Sequence, residues 1–129
     1  ESAIDAINKC RDRLKKKVSI MIFPEGTRSN TWEMLPFKDG AFRLAIEAGA
    51  PVLPIAVAGT RGAMAKGTFQ FLPARAIAQV LDPIETTGMT LADIPKLKQL
   101  ARERIEQGRR VLAAELGIAV TDDGSARGE

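Results

Sequence analysis

Val18-Ser19-Ile20-Met21-Ile22-Phe23-Pro24-Glu25-Gly26-Thr27-Arg28-Ser29 is the stretch around which the other segments can be placed. Its first six residues have the length and β-branched content of a buried strand. Pro24 removes a backbone donor and ends sheet pairing, while Gly26 lets the backbone turn sharply or approach a ligand closely. The expectation is a strand that stops at Phe23, followed by a loop at the strand's C-terminal end, where open α/β sheets hold their ligands. The loop suits an anion. Arg28 offers a planar fork that fits phosphate bidentately, Thr27 and Ser29 add hydroxyl donors, and Gly26 exposes its N–H without a side chain in the way. Glu25 stands apart, since a carboxylate repels phosphate; it fits if it orients Arg28 or accepts a hydrogen bond from a substrate hydroxyl. The alternative is a surface turn in which Glu25 and Arg28 pair with each other and bind nothing.

The whole chain has 129 residues, 45% apolar and 27% charged, which is the size and composition of one globular domain with its own core. Its 19 basic and 16 acidic side chains leave a net charge of +3. The excess is local: Lys9, Arg11, Arg13, Lys15, Lys16 and Lys17 face only Asp12, and residues 96–110 carry six cations against two anions. Such clusters suit phosphate-bearing partners, anionic lipid and nucleic acid included, but usually mean only a solvated helix face, which is the reading taken for both. The one cysteine, Cys10, cannot close an internal disulfide and is expected as a core thiol in a reducing compartment. No apolar run is long enough to span a bilayer, and the first residues have no signal-peptide pattern. Histidine is absent, which excludes Ser–His, Cys–His and His–carboxylate catalysis and any imidazole-dependent zinc site within these residues.

In chain order, residues 2–17 read as a helix, with Ser2 and Asp5 as a capping pair, Ala3, Ile7, Cys10 and Leu14 at helical spacing, and lysines at the end. No strand precedes it, so the chain looks cut upstream. After the loop, Trp32, Met34 and Leu35 are apolar residues in a polar segment, read as packing in preference to a lipid-facing rim. A second helix is expected from Phe37 to Ala48, stopped by Gly49 and Pro51. Lys38 and the free amides of its first turn could point back at the Glu25–Ser29 loop, so that helix and loop hold one phosphate together. Pro51-Val-Leu-Pro-Ile-Ala-Val-Ala-Gly59 reads as a second buried strand, and strand, helix, strand implies a right-handed parallel unit. Pro54 inside it calls for an edge, a bulge or a pocket lining. Gly62 and Gly67 have Walker A spacing, but Thr68 stands where the lysine should be; Gly59-Thr60-Arg61-Gly62 matches an RNA-binding Gly-x-x-Gly clamp, yet follows a strand. Residues 68–72 and 76–81 are expected to pair through a turn at Pro73-Ala74-Arg75. A last helix runs from Asp93 to Leu116, with Leu97, Leu100, Ala101, Ile105, Val111, Leu112 and Leu116 as its buried stripe and Gly108 as a weak point.

As a string, Phe23-Pro24-Glu25-Gly26-Thr27-Arg28-Ser29 closely resembles the signature of the glycerolipid acyltransferases, in particular the 1-acylglycerol-3-phosphate acyltransferases. Val52-Leu53-Pro54-Ile55 is similar in order and spacing to a later Val-Pro-Ile-type block of that family that lines the acyl-acceptor pocket, and Pro83-Ile84 is similar to a strand ending found there. The resemblance covers residues 1–116. It implies an α/β fold, here a partial one with a small mixed, mostly parallel sheet and flanking helices, over residues 1–118, with 119–129 as a mobile tail. It implies transfer of a fatty acyl group from an acyl thioester, on coenzyme A or acyl carrier protein, to lysophosphatidic acid at the cytoplasmic face of a membrane, giving phosphatidic acid. No cofactor and no nucleic acid is implied. In such enzymes the loop holds the acceptor phosphate. That role falls here to Gly26, Thr27 and Arg28, with Glu25 and Ser29 supporting, Lys38 as a further cation and Pro54 in the acceptor pocket. The family's catalytic His-x-x-x-x-Asp motif is missing, as are its arginine-bearing second motif and its membrane-docking N-terminal helices. The chain alone is therefore expected to be inactive, and, with an unpaired sheet edge and part of its apolar face exposed, to self-associate or to be marginally stable. The competing expectation is a non-catalytic module that binds phospholipid headgroups or RNA through its basic helix faces.

Overall fold

The computed structural model describes residues 2–62, 69–120 and 126–127. Helix α1 spans Ala3–Lys15 and starts at a capping box: Ser2 Oγ accepts the Asp5 N–H at 3.2 Å, and the Asp5 carboxylate accepts the Ser2 hydroxyl at 2.8 Å. None of its residues is fully buried; Ile7, Cys10 and Leu14 are half-buried, and Ala3 is exposed, so Cys10 is an interfacial thiol and not a core one. Helix α2, Gly40–Ala48, is shorter than expected and stops at Gly49 as read. Phe37 and Lys38 precede it in an extended approach. Arg11 reaches Glu47 at 2.6 Å and Ile7 backs onto Gly40, so α1 lies along α2.

Residues 18–23 form no strand, and Val18, Met21, Ile22 and Phe23 are exposed, Phe23 by 79%. A strand exists by virtue of its neighbour's hydrogen bonds, and among the described residues nothing pairs with this run. The parallel unit expected from strand, helix and strand is therefore not formed among them. The fold is still α/β, but its pairings are antiparallel: β1 (Ile55–Ala58) with β2 (Ile77–Val80), and β3 (Ala119–Val120) with β4 (Ala126–Arg127). Of the expected mobile tail, residues 121–125, 128 and 129 lie outside the described residues and the rest is the β3–β4 pair; Gly67 and Thr68 of the failed Walker A pattern also lie outside them.

β2 pairs with β1 and not with residues 69–72, which are irregular and exposed. Gly59 makes this possible: at φ +89° it sits where an added Cβ would come within 2.1 Å of the Arg75 carbonyl oxygen, so only glycine admits that approach. The second strand is also broken at Pro54. Ile55 pairs with Val80, yet the next bridge joins Val52 to Ile84, so Leu53 and Pro54 oppose Leu81, Asp82 and Pro83. This is a bulge at the position where proline cannot donate, and the Pro54 carbonyl still accepts the Leu81 N–H at 2.9 Å.

Helix α3, Ile94–Leu116, organises the rest. A 3₁₀ turn at Leu91–Asp93 leads into it, with Thr90 and Asp93 forming a second capping box. Its first half packs Ile94, Leu97 and Ala101 against Met34, Phe37, Phe42 and Ile84; its second half packs Leu112 and Ala113 against Trp32, Ala56 and Ala58. Val111, expected in the stripe, is exposed. Gly108 is not a weak point but a crossing point: a Cβ there would lie 2.9 Å from the Ala56 Cβ. Trp32, Met34 and Phe37 are all buried, so the segment after the loop is a strap joined to both halves of the core.

Candidate functional site

The Pro24–Ser29 loop is tied at several points. The Gly26 N–H donates to the Phe23 carbonyl at 3.1 Å, closing a tight turn in which Gly26 adopts φ +75°. The Lys38 N–H donates to the Pro24 carbonyl at 2.9 Å, which brings the approach to α2 alongside the loop. The Lys38 side chain then lies over Gly26, its Nζ 2.7 Å from where a Cβ would stand. Lys38 thus points back at the loop and fills the space over Gly26, whose N–H, expected to be exposed, is instead spent on closing the turn.

Arg28 and Thr27 are exposed, and neither makes a hydrogen bond or ion pair with any described residue. Arg28 does not pair with Glu25, so the closed surface turn is not what forms. Glu25 is half-buried and its Oε2 accepts the Leu35 N–H at 2.8 Å. It is turned toward the strap, away from the role of orienting Arg28. Ser29 Oγ accepts the Thr31 N–H at 3.2 Å and lies 3.3 Å from Thr31 Oγ1, which makes it a local turn-former. Asp39, at the start of α2, pairs with Lys98 at 2.7 Å. Pro54 is buried in the bulge, and no hydrogen bond or ion pair joins it to the loop. The structure therefore brings Gly26 and Lys38 together, leaves Arg28 and Thr27 open beside them in sequence, and assigns Glu25 and Ser29 to holding the backbone.

Sequence reading missed the arginines of α3, which it treated as a solvated face. Arg102 donates to the Leu35 carbonyl at 2.8 Å and the Met34 carbonyl at 2.7 Å, pairs with Glu106 at 3.0 Å, and lies 5.3 Å from the Phe37 ring centre. Arg109 stacks 4.2 Å from the Trp32 ring centre. Burial pushes the Arg109 guanidinium below its ordinary pKa; Glu25 and Glu106 oppose that shift, and Arg61 and Arg102 reinforce it. Arg61, in the 3₁₀ turn Thr60–Gly62, bonds to the Asn30 carbonyl, so the Gly-x-x-Gly tetrapeptide acts as a strut to the strap. A cleft of about 270 Å³ opens between strap and helix, lined by Trp32, Glu33, Met34, Arg102, Glu106, Arg109 and Arg110. The only advance signal was the alternation of cations with apolar stripe residues between Leu97 and Leu112, which a solvent-facing helix shows equally. Among the described residues no group of acidic, cysteine or histidine side chains could hold a metal ion, and no helix is long and apolar enough to cross a membrane.

The family model described as Acyltransferase matches residues 1–58. The chain is 40% identical over 90 residues to the 1-acyl-sn-glycerol-3-phosphate acyltransferase alpha of Mus musculus, covering 69% of this chain and 32% of that protein. It is 37% identical over 108 residues to the 1-acyl-sn-glycerol-3-phosphate acyltransferase of Saccharomyces cerevisiae, covering 81% and 36%. In three dimensions it superposes on the crystal structure of the 1-acyl-sn-glycerophosphate acyltransferase PlsC of Thermotoga maritima with a TM-score of 0.77 and 30% identity, covering 84% of this chain and 44% of that one. The chain thus spans about a third of the length of the curated relatives it matches, at 32% and 36%. On sequence and fold together, it belongs to the acyltransferase family that includes the 1-acyl-sn-glycerol-3-phosphate acyltransferases.

Proposed function

We propose that the Gly26–Arg28 loop, with Lys38, holds the phosphate of lysophosphatidic acid in a glycerolipid O-acyltransferase that makes phosphatidic acid. The observation that carries this reading is the Lys38 ammonium lying over the side-chain-free Gly26, with an uncommitted Arg28 two residues on. An ammonium and a guanidinium are the charge-assisted donors a phosphate ester needs; the Gly26 N–H is itself spent on the Phe23 carbonyl. In the reaction the acceptor hydroxyl oxygen attacks the thioester carbonyl, the C–S bond breaks, and the thiol leaves with the proton. With no histidine in the 129 residues, a base of that kind for the hydroxyl would have to come from elsewhere. In this reading the donor is an acyl thioester on coenzyme A or acyl carrier protein, Pro54 belongs to the acceptor pocket, and the work is done at the cytoplasmic face of a membrane.

Titration of the chain with a short-chain lysophosphatidic acid, in parallel with Arg28→Ala, tests it. Loss of one charge-assisted bidentate contact should weaken binding by about tenfold or more, with little change between low and moderate salt. Diffuse attraction to the basic faces of α1 and α3 would instead fall steeply with salt and ignore the substitution, which would defeat the assignment.

A further inference from the structure

We propose that Arg102 is a positioning residue for the anion loop, acting through the main chain of the strap on the carboxylate of Glu25. This rests on the function proposed above for what the loop binds, but the linkage itself stands on geometry. All three nitrogens of the Arg102 guanidinium are engaged: one terminal nitrogen on the Leu35 carbonyl, the other on the Met34 carbonyl, and Nε on Glu106. A planar fork that spans two successive carbonyls fixes the peptide plane between them, which a lysine's single ammonium cannot do. That plane carries the Leu35 N–H, and the Leu35 N–H holds Glu25 Oε2 at 2.8 Å. Glu25 immediately precedes Gly26. One rigid path therefore runs from the middle of α3 to the residue adjoining the open anion position.

The physical need is evident from charge. A free carboxylate one residue from a phosphate position would repel the ligand or neutralise Arg28 by pairing with it. Held by the Leu35 N–H and within the field of Arg109, the Glu25 carboxylate is kept off both. The Arg28 guanidinium is left free for the ligand because another guanidinium, that of Arg102, governs Glu25 through Leu35, 67 positions before it in sequence.

Amide hydrogen exchange of the 129-residue chain, followed residue by residue, tests the linkage, with Arg104→Gln as the control. Arg104 lies two residues on along α3, on another side of the helix, and bonds to the Asp82 and Pro83 carbonyls, so its loss costs stability without touching the strap. Arg102→Gln should speed exchange at Leu35 and Gly26, whose N–H groups are hydrogen-bonded, about tenfold beyond any change in global stability, and Arg104→Gln should not. Arg102→Gln should also lower affinity for sn-glycerol 3-phosphate about tenfold, with Arg102→Lys intermediate. Unchanged exchange at Leu35 overturns the proposal. So does faster exchange with unchanged affinity while Arg28→Ala still abolishes binding, since Arg102 is then structural only. If the unsubstituted chain binds no glycerol phosphate, the acceptor-phosphate reading fails separately, and the exchange result alone decides whether Arg102 positions the loop.

Discussion

Gly26 meets two constraints whose consequences differ in kind. Its φ of +75° strains any residue with a Cβ, and an added Cβ would fall 2.7 Å from the Lys38 ammonium. The second conflict is cheap to relieve, because the far end of a lysine can swing aside. The first is not, since the left-handed region costs an alanine about 1–2 kcal/mol. Gly26→Ala should therefore lower stability in urea by about that much, while displacing Lys38 and weakening phosphate binding further than the stability loss explains. Unchanged binding at reduced stability would separate Lys38 from the site. The tight turn at this position was legible in advance from Gly26 following Pro24, and the proposal of an anion loop rests on the glycine, hydroxyls and guanidinium around it. Glu25 was not legible, because its partner is the main chain of Leu35, and a backbone N–H leaves no mark in a sequence.

At the scale of elements, α3 carries the argument. Its ends, its length and most of its stripe follow from the Thr90–Asp93 capping box, periodic apolar residues and a closing Gly117. What periodicity hides is that both flanks of the stripe also have partners: Arg102 on the strap and Arg104 on the bulged connection after β2. Gly108 is the clearest case. In an exposed helix, glycine to alanine gains about 1 kcal/mol of propensity. Here the added methyl would stand 2.9 Å from the Ala56 Cβ and 3.3 Å from both Leu81 methyls, and Ala56 has no exposed surface through which to yield. Overpacking of that kind costs about 1–3 kcal/mol, so Gly108→Ala should destabilise in net, by about 1 kcal/mol. A raised midpoint in thermal unfolding would mean that helix and strand separate easily at this crossing.

For the molecule as a whole, the unusual property is the apolar surface left open. Met21 and Phe23, and beyond β1 Phe69, Phe71 and Leu72, are 61–98% exposed. Exposed apolar groups on that scale attract one another. The chain should sediment with a weight-average mass that rises through the micromolar range, and Phe69→Ser combined with Phe71→Ser should reduce the rise. A monomer at every concentration would show that these side chains find cover within the chain.

Local structure was settled by the sequence alone: the capping pair Ser2 and Asp5, the helix periods, the break at Pro54, and Lys38 beside the Gly26 turn. Each depends on residues within a few positions of one another, or on a motif long enough to be specific. Which strands pair, whether residues 18–23 pair at all, and what the α3 arginines hold were decided only by the tertiary structure. A strand is defined by its neighbour and a guanidinium by its acceptors, and here the decisive neighbours are backbone groups tens of residues away. Their hydrogen bonds depend on position and hardly at all on the identity of the residue that supplies them.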